Sequence, residues 1–258
     1  MKVAFLGPEG TYTHQAAEKY FSNYEPVPVS TITEAVESDA KAAVIPFENS
    51  LGGGVTESID LLRERDVEVT GQVKVEIDHV LASKEGNIND VEKVRSHPQA
   101  LTQSKKIIGE NGWEKKESSS TAKAAEEIEE GEAAICSKLA AQLNDLNILE
   151  ESVQDRESNT TRFFILNGKQ SEGSKTSMIV EPGEDRPGLL GSMLSCFSGH
   201  GINLAYIQSR PTKDGLGNYF FYIEAEADQN SEKFENTKKC LETYAEVKVL
   251  GSFGGKDA

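Results

Sequence analysis

The chain has 258 residues, and its 27 Lys and Arg against 43 Asp and Glu leave a net charge of −16. That length fits one large domain or two to three smaller ones, with room for a sizeable core. The acidic balance excludes a surface built for nucleic acid or anionic membranes, so an anionic ligand must be met by local arginines and helix N-termini.

The apolar opening Met1–Gly7 stops at Gly7-Pro8, too short for a signal-peptide core, and reads as a strand, Val3–Leu6. No stretch approaches the roughly 20 apolar residues of a membrane span, so a cytoplasmic location is expected. Thr13 can cap a helix carrying Ala16, Ala17 and Tyr20; a strand near Val27–Val29 and a short helix after Thr33 follow. Ala42–Ile45 is a buried strand ending in a loop, Pro46–Gly54, before a helix with Val55, Ile59 and Leu62 at helical spacing. Val67–Val75 and His79–Ala82 look extended and carry the chain into a second lobe. There the pattern repeats: strands at Val91–Arg95, Glu114–Glu117 and Ala133–Cys136, each followed by a helix. Pro98 suits a first helical turn, Ser119 or Ser120 a cap, and Ser137 a helix start. The chain returns through Asn159–Leu166.

Alternating strand and helix imply mostly parallel sheets with ligands between the lobes, at strand carboxyl ends. Residues 168–175 are a polar Gly/Ser linker. Beyond them the order strand (Thr176–Val180), helix (Pro187–Phe197), strand (Asn203–Gln208), strand (Asn218–Glu224), helix (Glu232–Tyr244), strand (Val247–Leu250) is the ferredoxin-like βαββαβ order. Cys136, Cys196 and Cys240 are widely spaced, odd in number and without metal spacing, which predicts buried reduced thiols.

Asn159-Thr160-Thr161-Arg162-Phe163-Phe164 sets hydroxyls and a guanidinium at the mouth of an apolar strand, and Arg162 is suited to a carboxylate. Four strand-to-helix junctions share its polarity. They are Gly7–His14, Pro46–Gly54 (with Glu48, Asn49 and Ser50), Ser96–Gln103 and Ser118–Thr121. The second lacks the Gly-Lys-Ser/Thr ending of a phosphate loop and offers an acid, an amide and a hydroxyl, which suits a polyfunctional organic ligand.

Together, Gly7–His14, Pro46–Ser50, Ile77-Asp78-His79, Ser96–Gln99, Ser120-Thr121-Ala122 and Asn159–Phe163 closely resemble the prephenate dehydratase family, in its order and spacing across residues 1–168. Residues 176–254 resemble the ACT regulatory domain that the family carries. The resemblance implies a periplasmic-binding-protein-like type II catalytic part (1–168). Lobe one spans about 1–76 plus 158–168 and lobe two 77–157; a linker (169–175) and the ACT domain follow.

It further implies conversion of prephenate to phenylpyruvate with loss of water and carbon dioxide, with no cofactor and no metal. Thr161 is the expected catalytic residue. Glu48, Asn49, Ser50, Ser96, Gln103, Ser120, Thr121 and Arg162 are the expected substrate contacts, with Glu48 or water as proton source. Gly188, Leu189, Leu190, Asn203, Leu204, Gln208, Ser209 and Arg210 are the expected L-phenylalanine contacts. The family usually has Glu where Gln208 stands, and Gly188-Leu189-Leu190-Gly191 departs from its Gly-Ala-Leu-Val, which puts effector affinity in question. A homodimer or homotetramer is expected, with no nucleic-acid or membrane partner. A chorismate mutase domain is not expected before a chain that opens on its first strand. Arogenate as substrate, or a non-catalytic two-lobed sensor, remain alternatives.

Overall fold

The computed structural model describes residues 1–256 apart from 157, 172, 185 and 214–216. Asp185, in the first expected effector loop, therefore lies outside the described residues.

The first lobe is built from β1 (Lys2–Leu6), α1 (Tyr12–Tyr20), β2 (Glu25–Val29), α2 (Ile32–Glu37), β3 (Ala42–Asn49), β4 (Gly53–Gly54), α3 (Thr56–Glu64) and β5 (Val69–Glu76). The chain then crosses into β6 (His79–Ser83), β7 (Lys93–Ser96), α4 (Pro98–Gln103), α5 (Lys105–Asn111), β8 (Glu114–Glu117), α6 (Thr121–Glu127), β9 (Glu132–Ser137), α7 (Lys138–Leu143) and β10 (Asn147–Glu150). It returns as β11 (Thr160–Leu166), inserted antiparallel between β3 and β5. A chain that leaves one sheet, completes a second and returns makes two lobes with a cleft at the crossovers. This is the two-lobed α/β architecture expected, but its sheets are mixed rather than mostly parallel, because the crossover strands run against their neighbours: β11 is antiparallel to β3 and β5, and β6 to β9 and β10.

The C-terminal unit is β12 (Lys175–Pro182), α8 (Leu189–Gly199), β13 (Leu204–Pro211), β14 (Tyr219–Ala225), α9 (Glu232–Leu241) and β15 (Ala245–Phe253). Its antiparallel sheet has the order β13-β14-β12-β15, the ferredoxin-like arrangement. A last short strand, β16 (Gly255–Lys256), leaves this unit and pairs with β5 of lobe one.

Several elements differ from the expectation. Thr11, not Thr13, caps α1, its hydroxyl accepting from the His14 N–H at 3.2 Å. β3 runs on through Pro46 to Asn49. The missing Pro46 N–H is tolerated because the register against β11 shifts there, leaving Phe47 as the extra residue of a bulge. β10 was not expected.

The described residues at the start of the polar linker are tied to lobe one. The Gly168 N–H and Thr70 Oγ1 are 3.0 Å apart, and the Ser171 N–H and hydroxyl both donate to the Thr70 carbonyl. Cys196 and Cys240 are corrected as well: they form a disulfide. Forty-four residues separate them, but the fold sets α8 against α9 on one side of the C-terminal sheet, a proximity that sequence spacing does not reveal. Cys136 is free and buried, and burial pushes its thiol up to about 12.

The C-terminal unit shares a core with lobe one. A single cluster joins Ile45, Phe47, Ile59, Leu62 and Phe164 to Ile179, Phe220, Tyr222, Leu250 and Phe253. Helix α3 is clasped at this junction. Asp60 takes two hydrogen bonds from Arg210 (3.0 and 2.9 Å), Arg63 gives two to Glu181 (both 2.8 Å), and the Lys248 ammonium reaches the carbonyls of Leu62, Arg63 and Arg65. A cation on the last carbonyls of a helix also answers its dipole. Among the described residues no helix is long and apolar enough to cross a membrane.

Candidate active site

Adjacent residues of a strand point to opposite faces of its sheet. In β11 this separates Thr161 from Arg162. Register pairs Thr161 with Asn49, and Arg162 with Glu48, so the expected site residues divide into two groups.

The first group faces the cleft. The Asn49 Nδ2 donates to Thr161 Oγ1 at 2.9 Å and to Asn159 Oδ1 at 2.8 Å. Asn49's orientation is determined by its other end: its Oδ1 accepts the N–H groups of Leu51 (3.0 Å) and Gly52 (2.9 Å), and only an oxygen can accept. Asn159 in turn donates to Gln103 Oε1 across the lobes at 3.3 Å. Behind them His79 lies 3.4 Å from Gln103 and 2.8 Å from the Tyr12 hydroxyl. Burial lowers the His79 pKa, which favours a neutral imidazole. The cleft beside this network, about 350 Å³, is lined by Leu51, Thr102, Gln103, Asp155, Arg156 and Asn159, among others.

The second group faces away. Arg162 is buried, its guanidinium donating to Glu224 of β14 at 2.7 Å, Glu48 at 3.0 Å and Gln72 at 3.2 Å. The rings of Phe47, Phe164 and Tyr206 lie 4.7, 5.4 and 5.6 Å from it. Burial works against its charge, and the Glu224 carboxylate more than restores it. Glu48 and Arg162 thus turn toward the C-terminal unit.

The remaining expected contacts are spread out. Ser50 joins the loop to β11 through the Thr160 N–H, at 3.0 Å. Ser96 is buried and donates to the Ile135 carbonyl at 2.5 Å. Ser120 caps α6 through the Lys123 N–H, with Thr121 its first residue. The lobes meet at Gly10, whose carbonyl accepts from Ser137 at 2.6 Å. A Cβ at Gly10 would come within 2.8 Å of Ala140, and its φ of 85° suits glycine alone.

The expected effector residues also divide, those of β13 by strand alternation. Leu189, Leu190 and Ser209 line a second cavity of about 240 Å³ with Met193, Tyr219 and Phe221. Gly188, with φ 83°, opens α8, while Asn203 donates to Glu226 and Leu204 packs into the C-terminal core. Gln208 and Arg210 face lobe one. Gln208 accepts from Tyr206, whose hydroxyl would lie 2.6 Å from a Cβ at Gly54, and Arg210 holds Asp60.

The family model for prephenate dehydratase matches residues 3–171, and that for the ACT domain matches residues 183–237. The chain belongs to the prephenate dehydratase family. A bifunctional chorismate mutase/prephenate dehydratase of Aquifex aeolicus is 38% identical over 98% of this chain and 73% of its own length. A prephenate dehydratase of Methanocaldococcus jannaschii is 35% identical over 97% of both chains. The crystal structure of an Arthrobacter aurescens prephenate dehydratase in complex with L-Phe has a TM-score of 0.89 at 30% identity, covering 98% of this chain and 90% of that one.

Asn159, the central amide of the cleft network, stands in the sequence motif but not among the expected contacts, although Asn-Thr-Thr at a strand mouth is a visible signal. Nor was Glu224 among them, a lone carboxylate in the apolar strand Tyr219–Ala225.

Proposed function

We propose that the chain converts prephenate to phenylpyruvate in the cleft beside Thr161. The bond between the ring and its carboxylate breaks, and carbon dioxide leaves. The electron pair passes through the ring to expel the hydroxyl at the opposite end. That hydroxyl takes a proton and departs as water, leaving an aromatic ring.

The observation that carries this reading is the direction of the hydrogen bond at Thr161. Asn49 donates to Oγ1, so the Thr161 O–H remains available to donate to the departing hydroxyl. A preorganised donor aimed at developing charge is an effective catalytic device. Glu48 is turned toward Arg162, which leaves water as the proton source. Arg156, the cation lining the cleft among its described residues, is the group to hold a substrate carboxylate, and Gln103 and Asn159 supply further polar contacts.

The ACT domain would bind L-phenylalanine at the cavity beside Leu189, Leu190, Met193 and Ser209, shifting the balance between lobe arrangements through differential affinity. Exposed Leu190, Ile207 and Tyr219 near this cavity support a second copy of the chain there, in a homodimer or homotetramer. The location proposed is cytoplasmic. The Cys196–Cys240 pair offers a check, since reducing compartments keep such pairs as thiols; alkylation of thiols in freshly lysed cells reads it.

Phenylpyruvate absorbance tests the activity, with and without phenylalanine. Thr161→Ala is expected to lower kcat about 10²- to 10³-fold, and Thr161→Ser to retain much more. Wild-type turnover in Thr161→Ala would refute the assignment. A response unchanged across phenylalanine concentrations would refute the regulation.

A further inference from the structure

The carboxylate nearest the back of the catalytic strand belongs to the ACT domain. Glu224 of β14 is fully buried, and its two oxygens are both used: Oε2 accepts from Arg162 at 2.7 Å, and Oε1 accepts from the Tyr222 hydroxyl at 3.0 Å. Arg162 is covalently next to Thr161. Its guanidinium lies over the ring of Phe47, the extra residue of the β3 bulge. Two residues beyond that bulge stands Asn49, the donor to Thr161. A bulge breaks the ladder locally and re-aims the side chains after it, so what holds Phe47 and Arg162 also sets how Asn49 meets Thr161.

We propose that Glu224 is a positioning residue for Thr161, acting from the ACT domain through Arg162 and the Phe47 bulge. Docking of the ACT domain is then part of how the active site is built. Glu48 alone does not substitute, because it is half-exposed and reaches the other guanidinium nitrogen at 3.0 Å. The inference rests on the reading of Thr161 as the hydroxyl that assists departure of water.

The test compares two Glu→Gln changes on one domain junction in the full-length protein. Glu224→Gln removes the charge behind Thr161. Glu181→Gln removes a carboxylate partner of Arg63 on α3, at the same junction, on a strand residue paired with Glu246 of β15. For Glu224→Gln, kcat is expected to fall about tenfold or more, with KM for prephenate within about twofold of wild type. In threonine-methyl-labelled protein the Thr161 resonance should move. Glu181→Gln should leave kcat within about twofold and the Thr161 resonance in place.

Circular dichroism and gel filtration establish that each variant is folded. A folded Glu224→Gln protein with wild-type kcat and an unmoved Thr161 resonance would overturn the proposal. So would an equal loss in Glu181→Gln, which would make the effect one of docking in general. The resonance reports on Thr161 whether or not prephenate is the substrate. If wild-type protein forms no phenylpyruvate, the reading of the reaction fails, and the spectra still decide the role of Glu224.

Discussion

Thr161 and Arg162 are neighbours in sequence and occupy opposite environments. Thr161 lies among neutral amides from three segments, in a network that crosses the lobes. Arg162 lies among two carboxylates and three rings, in a junction that crosses from the catalytic lobes to the ACT domain. On the Thr161 face each hydrogen bond sets the direction of the next, so small losses there should alter chemistry with little effect on the fold. On the Arg162 face the charge is buried and compensated, so losses there should be felt first as stability.

The largest expected effect breaks the second face. Arg162→Ala leaves Glu224 buried without its cation and should destabilise the protein by about 3–5 kcal/mol. Thr161→Ala, measured by the same denaturation curves, should cost about 1 kcal/mol while losing most turnover. Similar stability losses for both would dissolve the contrast. Asn49→Ala tests the first face. It removes the donor to Thr161 and should lower kcat about ten- to a hundredfold; steady-state rates on folded protein check this.

Arg156→Gln sharpens the division between binding and chemistry. If Arg156 holds a carboxylate equally in ground and transition states, KM should rise about five- to tenfold with kcat unchanged. A fall in kcat alone would contradict that role.

The smallest effect concerns pH at the domain junction. Burial works to raise the Asp60 carboxyl, but hydrogen bonds from Arg210 and Lys213 win and hold it below its ordinary value. A depressed folded pKa gives stability that is present above the unfolded value and lost as pH falls through the folded one. Docking should therefore loosen below about pH 4. In Asp60→Asn this acid-side loss should shrink; an unchanged acid profile would count against the pair.

Much of the architecture was legible in the sequence because local pattern controls it. Ala42–Ile45 and Phe163–Leu166 read as buried strands and are buried strands. Ser119 or Ser120 read as a cap and Ser137 as a helix start; Ser120 and Ser137 accept from the Lys123 and Ala140 N–H groups. Other features were hidden because they depend on pairing between distant segments. The bulge at Phe47 exists only against β11. Arg210 stood among the effector contacts that the resemblance implies, and a motif does not say which face of β13 meets lobe one, where Arg210 holds Asp60. Cys196 and Cys240 are brought together only by the packing of α8 on α9.

By itself the sequence determined most of the elements, since apolar periodicity, caps and turn residues act over a few positions, and the resemblance of its motifs carried the family and the cluster around Thr161. Only the tertiary structure decided what Thr161 and Arg162 face. Strand alternation puts them on opposite sides of one sheet, and the identity of each side follows from which distant segment packs there: Asn49, Asn159 and Gln103 on one, Glu224 of the ACT domain on the other.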